Sequence, residues 1–97
     1  MNIQIDAMAG TLESSDLLVK VSPHPEGRLE VAITSEVMRQ FGKQIRKVVE
    51  ETLDRLEVRN AQVIVEDKGA LDCTLRARVQ AAALRASGSG PDWKVLA

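Results

Sequence analysis

Hydrophobic and polar positions alternate along residues 17–21, with Leu17, Val19 and Val21 on one face and Leu18 and Lys20 on the other. A period of two marks a half-buried strand. The run Ser22-Pro23-His24-Pro25-Glu26-Gly27 stops it, because prolines withhold backbone donors and a glycine eases the turn. Residues 28–34 alternate again, with Leu29, Val31 and Ile33 inward and Glu30 and Thr34 outward. The two strands are expected to pair as an antiparallel hairpin. The period then changes. Val37, Met38, Phe41, Ile45, Val48, Val49, Thr52, Leu53 and Leu56 recur at three and four, one apolar stripe on a helix of about six turns. Thr34-Ser35-Glu36 reads as its start, with a serine to cap a backbone N–H and a carboxylate near the positive end of the dipole. It is expected to end near Glu57.

Residues 61–66, Ala-Gln-Val-Ile-Val-Glu, are rich in β-branched side chains and predict a third strand, which Asp67-Lys68-Gly69 turns. The next segment fits two patterns. Leu71, Cys73, Leu75, Ala77 and Val79 alternate as in a strand, while Leu71, Leu75, Val79, Ala82 and Ala86 fit a helical stripe. Its alanine, leucine, arginine and glutamine favour a helix over 71–87. The pattern therefore predicts an α+β domain of order ββαβα, its helices packed on one face of an antiparallel sheet. A ββαββα order with a strand at 71–77 is the alternative. Residues 1–10 carry no clear pattern. Residues 1–87 form the expected domain, and Ser87-Gly88-Ser89-Gly90-Pro91 opens an expected flexible tail over 88–97 that holds Trp93.

Composition narrows the function more than the fold. The chain has 97 residues, 44% hydrophobic and 28% charged, enough for one small core. Thirteen basic and 14 acidic residues leave a net charge of −1, so no sequence-wide pull toward nucleic acid or a membrane follows. Phe41 and Trp93 are the only aromatics, too few for a base-stacking platform. The start, Met1-Asn2-Ile3-Gln4-Ile5-Asp6, lacks a basic-then-apolar leader, and a cytoplasmic protein is expected. On the long helix the bases Arg39, Lys43, Arg46 and Lys47 precede the acids Glu50, Glu51, Asp54 and Glu57, against the dipole's preference. Pairs four apart, Arg46–Glu50, Lys47–Glu51 and Glu51–Arg55, can offset this. The basic half is either a solvated face or a docking patch for an acidic partner.

Candidate chemistry is sparse. Glu66, Asp67 and Asp72 cluster in sequence and could act as acid and base, though carboxylates around a turn are more often solvated. His24, between two prolines, is expected to be exposed and structural. Cys73 reads as a small buried residue, and a single cysteine and a single histidine give little material for a metal site. There remain Ser14 and Ser15, two adjacent hydroxyls in the polar stretch Gly10-Thr11-Leu12-Glu13-Ser14-Ser15-Asp16. Such a stretch is either a plain turn, in which short polar side chains bond their own backbone, or a loop that presents a hydroxyl for modification.

The stretch Ala9-Gly10-Thr11-Leu12-Glu13-Ser14-Ser15-Asp16 closely resembles the modification motif of the citrate lyase acyl carrier proteins, the gamma subunits of that complex. Val65-Glu66-Asp67-Lys68-Gly69-Ala70-Leu71-Asp72-Cys73, followed by Leu75-Arg76-Ala77-Arg78-Val79, resembles the family's second signature, and Phe41-Gly42 matches in place. The resemblance spans nearly the whole chain, least so after about Ala86. It implies a carrier without catalysis of its own, in which Ser14 bears 2′-(5″-phosphoribosyl)-3′-dephospho-CoA through a phosphodiester. The arm's thiol would hold acetyl and citryl thioesters. Implied partners are the alpha subunit (acyl transferase), the beta subunit (citryl lyase) and the holo-carrier synthase that attaches the group. Two other readings stay open: a malonate decarboxylase-type carrier, and a non-catalytic α+β interaction domain with no prosthetic group.

Overall fold

The computed structural model describes residues 1–88. Four strands and two helices follow in the order β1 (Ala7–Gly10), β2 (Leu17–Ser22), β3 (Leu29–Ser35), α1 (Met38–Arg55), β4 (Ala61–Asp67) and α2 (Asp72–Ser87). The strands form one mixed sheet of order β1-β2-β4-β3. Both helices cover one face of it. Leu17, Val19, Val21, Val63 and Val65 point from the sheet into a core completed by Ile45, Val48, Val49 and Leu53 of α1 and by Leu75, Val79 and Ala82 of α2. The other face is open, and Met8, Lys20 and Ile64 stand exposed on it.

The α+β class, the α2 span and the buried face of β2 agree with the sequence pattern. The hairpin does not. β2 and β3 are separated by β4, which pairs antiparallel with β2 (Val19 opposite Val65) and parallel with β3 (Ile33 opposite Val65). The reason lies in burial. β4 alternates with Ala61, Val63, Val65 and Asp67 buried, whereas β3 leaves Leu29 and Ala32 exposed, so the more apolar strand takes the centre. The loop between β2 and β3 has two prolines and no tight two-residue turn, and it strides over the start of β4. There His24 N–H donates to Asn60 Oδ1 (3.3 Å), and Ala61 N–H to the Arg28 carbonyl (3.1 Å). β1 is a further addition, a short edge strand paired antiparallel with β2.

Local corrections have local causes. α1 begins at Met38, because Ser35 stays in β3 and its hydroxyl donates to Asp67 Oδ2 (2.7 Å) while accepting the Val37 N–H (3.1 Å). At its other end, Glu57 takes φ +57°, Val58 N–H bonds the Leu53 carbonyl and Glu57 N–H the Asp54 carbonyl. This is the Schellman arrangement that usually recruits glycine, so no sequence signal announces it. Of the expected ion pairs along α1 only Arg46–Glu50 closes, at 3.1 Å. His24 is buried rather than exposed: its Nδ1 accepts the Glu26 N–H (3.0 Å) and its Nε2 meets Glu30 (2.9 Å). Cys73 is exposed rather than buried, since it lies about 200° around α2 from the inward Leu75. The tail beyond Gly88, with Trp93, lies outside the described residues.

The apolar stripe of α1 overruns the core. Leu53 is fully buried, while Met38 and Phe41 in the first turn are 41% and 51% exposed. Leu53→Ala should therefore cost about 2–5 kcal/mol in urea unfolding and Phe41→Ala well under half of that. Equal losses would place Phe41 inside the core.

Candidate functional site

The two serines sit in the loop that joins β1 to β2. Its entry demands Gly10. The residue has φ +94°, and a Cβ there would lie 1.8 Å from the Leu17 carbonyl oxygen and 3.3 Å from Arg78 Cδ. No side chain fits, so the backbone can fold back while Arg78 of α2 passes across the vacant position. Thr11 N–H then donates to the Leu17 carbonyl (3.0 Å), which closes the loop at its base.

Asp16 organises what lies between. Its Oδ2 accepts the Thr11 hydroxyl (2.8 Å), and its Oδ1 accepts the Leu17 N–H (2.8 Å). Arg78 completes a two-pronged contact, Nε to Oδ1 at 3.0 Å and Nη2 to Oδ2 at 3.2 Å. These donors stabilise the ionised carboxylate. The Arg78 hydrogen bond is the largest cause, followed by the Leu17 amide and the Thr11 hydroxyl, and together they hold the carboxyl at about 2 against an ordinary 3.8. Arg78 lies 62 residues from Asp16 in the chain, so the pair pins the loop to α2.

A second pin comes from the turn after β4. Ser15 N–H donates to the Lys68 carbonyl (2.8 Å) and Lys68 N–H to the Asp16 carbonyl (2.9 Å). That turn is itself built on Asp67, which is buried. Its carboxylate accepts the Ser35 hydroxyl and the N–H groups of Gly69 (3.1 Å) and Ala70 (3.0 Å). Asp67 is thus structural. Glu66 projects from the opposite side of β4, and Asp72 accepts a hydrogen bond from the Gln44 amide (3.0 Å). The three carboxylates are not brought together, and His24 lies at the far end of the sheet.

At the tip, Asp16 N–H donates to the Glu13 carbonyl (3.2 Å), a β-turn with Ser14 and Ser15 at its centre. Ser15 adopts φ +64°, as the third position of a type II turn requires. Both serines are exposed, and neither hydroxyl has a hydrogen-bond partner among the described residues. They differ in the backbone, which at Ser15 is bonded and left-handed and at Ser14 is neither. A hydroxyl with no base beside it is suited to being a substrate rather than a nucleophilic catalyst. Sequence reading found the loop but not Asp16 and Arg78. Their only signal is opposite charge at a separation that no local pattern reports.

The family model described as "Malonate decarboxylase delta subunit (MdcD)" matches residues 4–86. The citrate lyase acyl carrier protein of Enterobacter sp. (strain 638) is 58% identical over 97 residues, covering 99% of each chain. That of Albidiferax ferrireducens is 60% identical over 97 residues, again 99% of each. Among solved structures, a chain of a Pseudomonas malonate decarboxylase hetero-tetramer in complex with malonate superposes with a TM-score of 0.72 at 21% identity, covering 82% of this chain and 81% of that one. At that identity the likeness is one of fold.

The Asp16–Arg78 pair makes stability depend on acid. The folded state holds Asp16 at about 2 while the unfolded chain titrates near 3.8, so the unfolded state takes up the proton first. The resulting stabilisation, about 1–2 kcal/mol after allowance for the partly exposed Arg78, is complete above about pH 5 and lost as pH falls toward 2. Asp16→Asn should lower stability at pH 7 by that amount and flatten the change between pH 5 and 2, as read by chemical denaturation. An unaltered acid profile in the variant would refute the assignment.

Proposed function

This chain belongs to the citrate lyase acyl carrier protein family, and from that premise we propose that it is the covalent acyl carrier subunit of a citrate lyase complex, modified on Ser14. The observation that carries the reading is the state of the Ser14 hydroxyl: exposed, unbonded, and at the tip of a loop held at its base by Thr11, Asp16 and Arg78. A phosphodiester to 2′-(5″-phosphoribosyl)-3′-dephospho-CoA needs an accessible oxygen whose substitution breaks no internal hydrogen bond. Ser14 meets both needs. Ser15 offers an equally open hydroxyl, but its backbone is committed to Lys68 and to the left-handed turn position.

The arm, when attached, supplies a thiol that holds acyl units as thioesters during citrate cleavage to acetate and oxaloacetate. The protein's own residues anchor and orient. Asp16 and Arg78 keep the loop in one conformation, so that motion belongs to the tether rather than to the domain, and tethering raises the local concentration of the thioester at each partner's site. The partners in this reading are the alpha subunit as acyl transferase, the beta subunit as citryl lyase and the holo-carrier synthase. The setting is cytoplasmic, where the exposed Cys73 stays reduced. Residues 1–87 act as the carrier domain, with 88–97 as an appended tail. A malonate decarboxylase-type carrier is the second reading, favoured by the family model's description and by the fold likeness. Identity of 56–60% to citrate lyase carriers outweighs it.

Intact-mass spectrometry of protein from cells that also make the attaching transferase should show the added mass of one phosphoribosyl-dephospho-CoA unit. Ser14→Ala should abolish it and Ser15→Ala largely preserve it. An unmodified wild-type chain under those conditions overturns the carrier reading. Peptide mapping of the group to Ser15 overturns the site.

A further inference from the structure

The three connections at one end of the sheet converge around Ser14. β1 ends there and β2 begins there, β3 ends at Ser35 opposite the last residue of β4, and both helices start there. This end is unusually apolar for an exposed surface. Leu12, Met38, Phe41 and Leu71 are all large and open to solvent, and Leu71 is 72% exposed. They are not scattered. Phe41 and Leu71 face each other across a hollow of about 390 Å³, walled also by Val37, Ile45 and Ala70. Leu12 borders a second hollow with Glu36, Glu66 and Lys68, and Asp67 lies in the wall of both.

The unpaired charges at this end are acidic on balance. Glu13, Glu66 and Asp72 have no cationic partner among the described residues. Two of the cations close by are used internally, Lys68 with Glu36 at 3.4 Å and Arg78 with Asp16, and Arg39 and Arg76 are exposed without an ion pair among the described residues. Lys43 and Lys47 of α1 fall about 140° and 180° from Met38 around the helix, on the side turned away from the core. The molecule therefore presents, at its Ser14 end, an apolar centre with a rim in which the unpaired carboxylates of Glu13, Glu66 and Asp72 outnumber the unpaired Arg39 and Arg76. Lys43 and Lys47 form a basic ridge on the outer side of α1.

We propose that this end is the docking surface for the enzyme that modifies Ser14, and that the complementary face of that enzyme is an apolar protrusion fringed by lysine and arginine. The proposal rests on the carrier reading. A flexible arm lets other enzymes reach its thiol from a distance, but attachment requires an active site to close over the Ser14 oxygen itself. A footprint of about 800 Å² centred on Ser14 takes in the residues around it. Charge complementarity then selects the partner's rim, because a carboxylate fringe is matched by cations and repels another acidic surface. The hollow beside Phe41 and Leu71 is where an apolar anchor would seat.

The test measures KM of the attaching transferase for the full-length carrier, by intact mass over time, for wild type, Phe41→Lys, Leu71→Lys and the double reversal Lys43→Glu/Lys47→Glu. Wild-type loading in the same assay reports on the carrier reading separately, and thermal melts check that each variant folds. The proposal expects KM to rise about tenfold or more for Phe41→Lys and Leu71→Lys with kcat little changed, and wild-type KM to rise with added salt. The double reversal should leave KM unchanged. Unchanged KM in both lysine variants overturns the proposal, as does a loss confined to the Lys43→Glu/Lys47→Glu protein.

Discussion

Strand β4 sets the terms for the rest of the domain. It pairs with β3 along its whole length and with β2 from Gln62 to Asp67, and Ala61, Val63, Val65 and Asp67 are all buried in the covered face. Three of these are apolar and gain from burial. The fourth is a carboxylate, which the interior tolerates only if its oxygens are fully engaged. The Ser35 hydroxyl and the Gly69 and Ala70 amides engage them. Satisfying Asp67 thereby dictates the turn at residues 67–70, and the Lys68 carbonyl and N–H in that turn hold Ser15 and Asp16. A packing requirement in the sheet thus reaches the candidate loop through one turn and a pair of backbone hydrogen bonds.

The parallel pairing of β3 with β4 follows from the same centrality. Parallel neighbours need a long crossover, and α1 supplies it while covering the sheet. The crossover brings the start of α1 to the Ser14 end, while the β2–β3 loop with His24 lies at the opposite one. One end of the molecule holds a buried histidine engaged with Glu26 and Glu30, and the other holds exposed apolar side chains and an unbonded serine. The division suits a carrier on the reading proposed above, since the end that partners visit is spared any role in closing the far side of the fold.

Stiffness and freedom are also divided within the loop. Gly10, Asp16 and Arg78 hold the base, where a lost contact exposes backbone and strands a charge. The tip carries two hydroxyls with nothing to lose on modification. Ionisation of Asp16 links this arrangement to solution conditions only at acid pH, so near neutrality the carboxylate that Arg78 contacts stays charged.

The sequence by itself determined the helices, the buried faces of β2 and β4, and the polar stretch with Ser14. Each of these is written in a local period or in adjacent residues. Its motifs also carried the family. It did not determine which strands meet. Leu17–Ser22 and Leu29–Ser35 look like a hairpin because they are neighbours in the chain, yet β4, made later and more thoroughly apolar, displaces β3 to the edge. Likewise Asp16 and Arg78 each read as ordinary surface charges until the fold closes 62 residues between them. The burial of His24 and the exposure of Cys73 went the same way, since each depends on which element packs against it. Local chemistry can say what an element is, but competition for the centre of the sheet is a property of the whole chain. That competition decided the sheet order, and with it the pins that hold Ser14 outward.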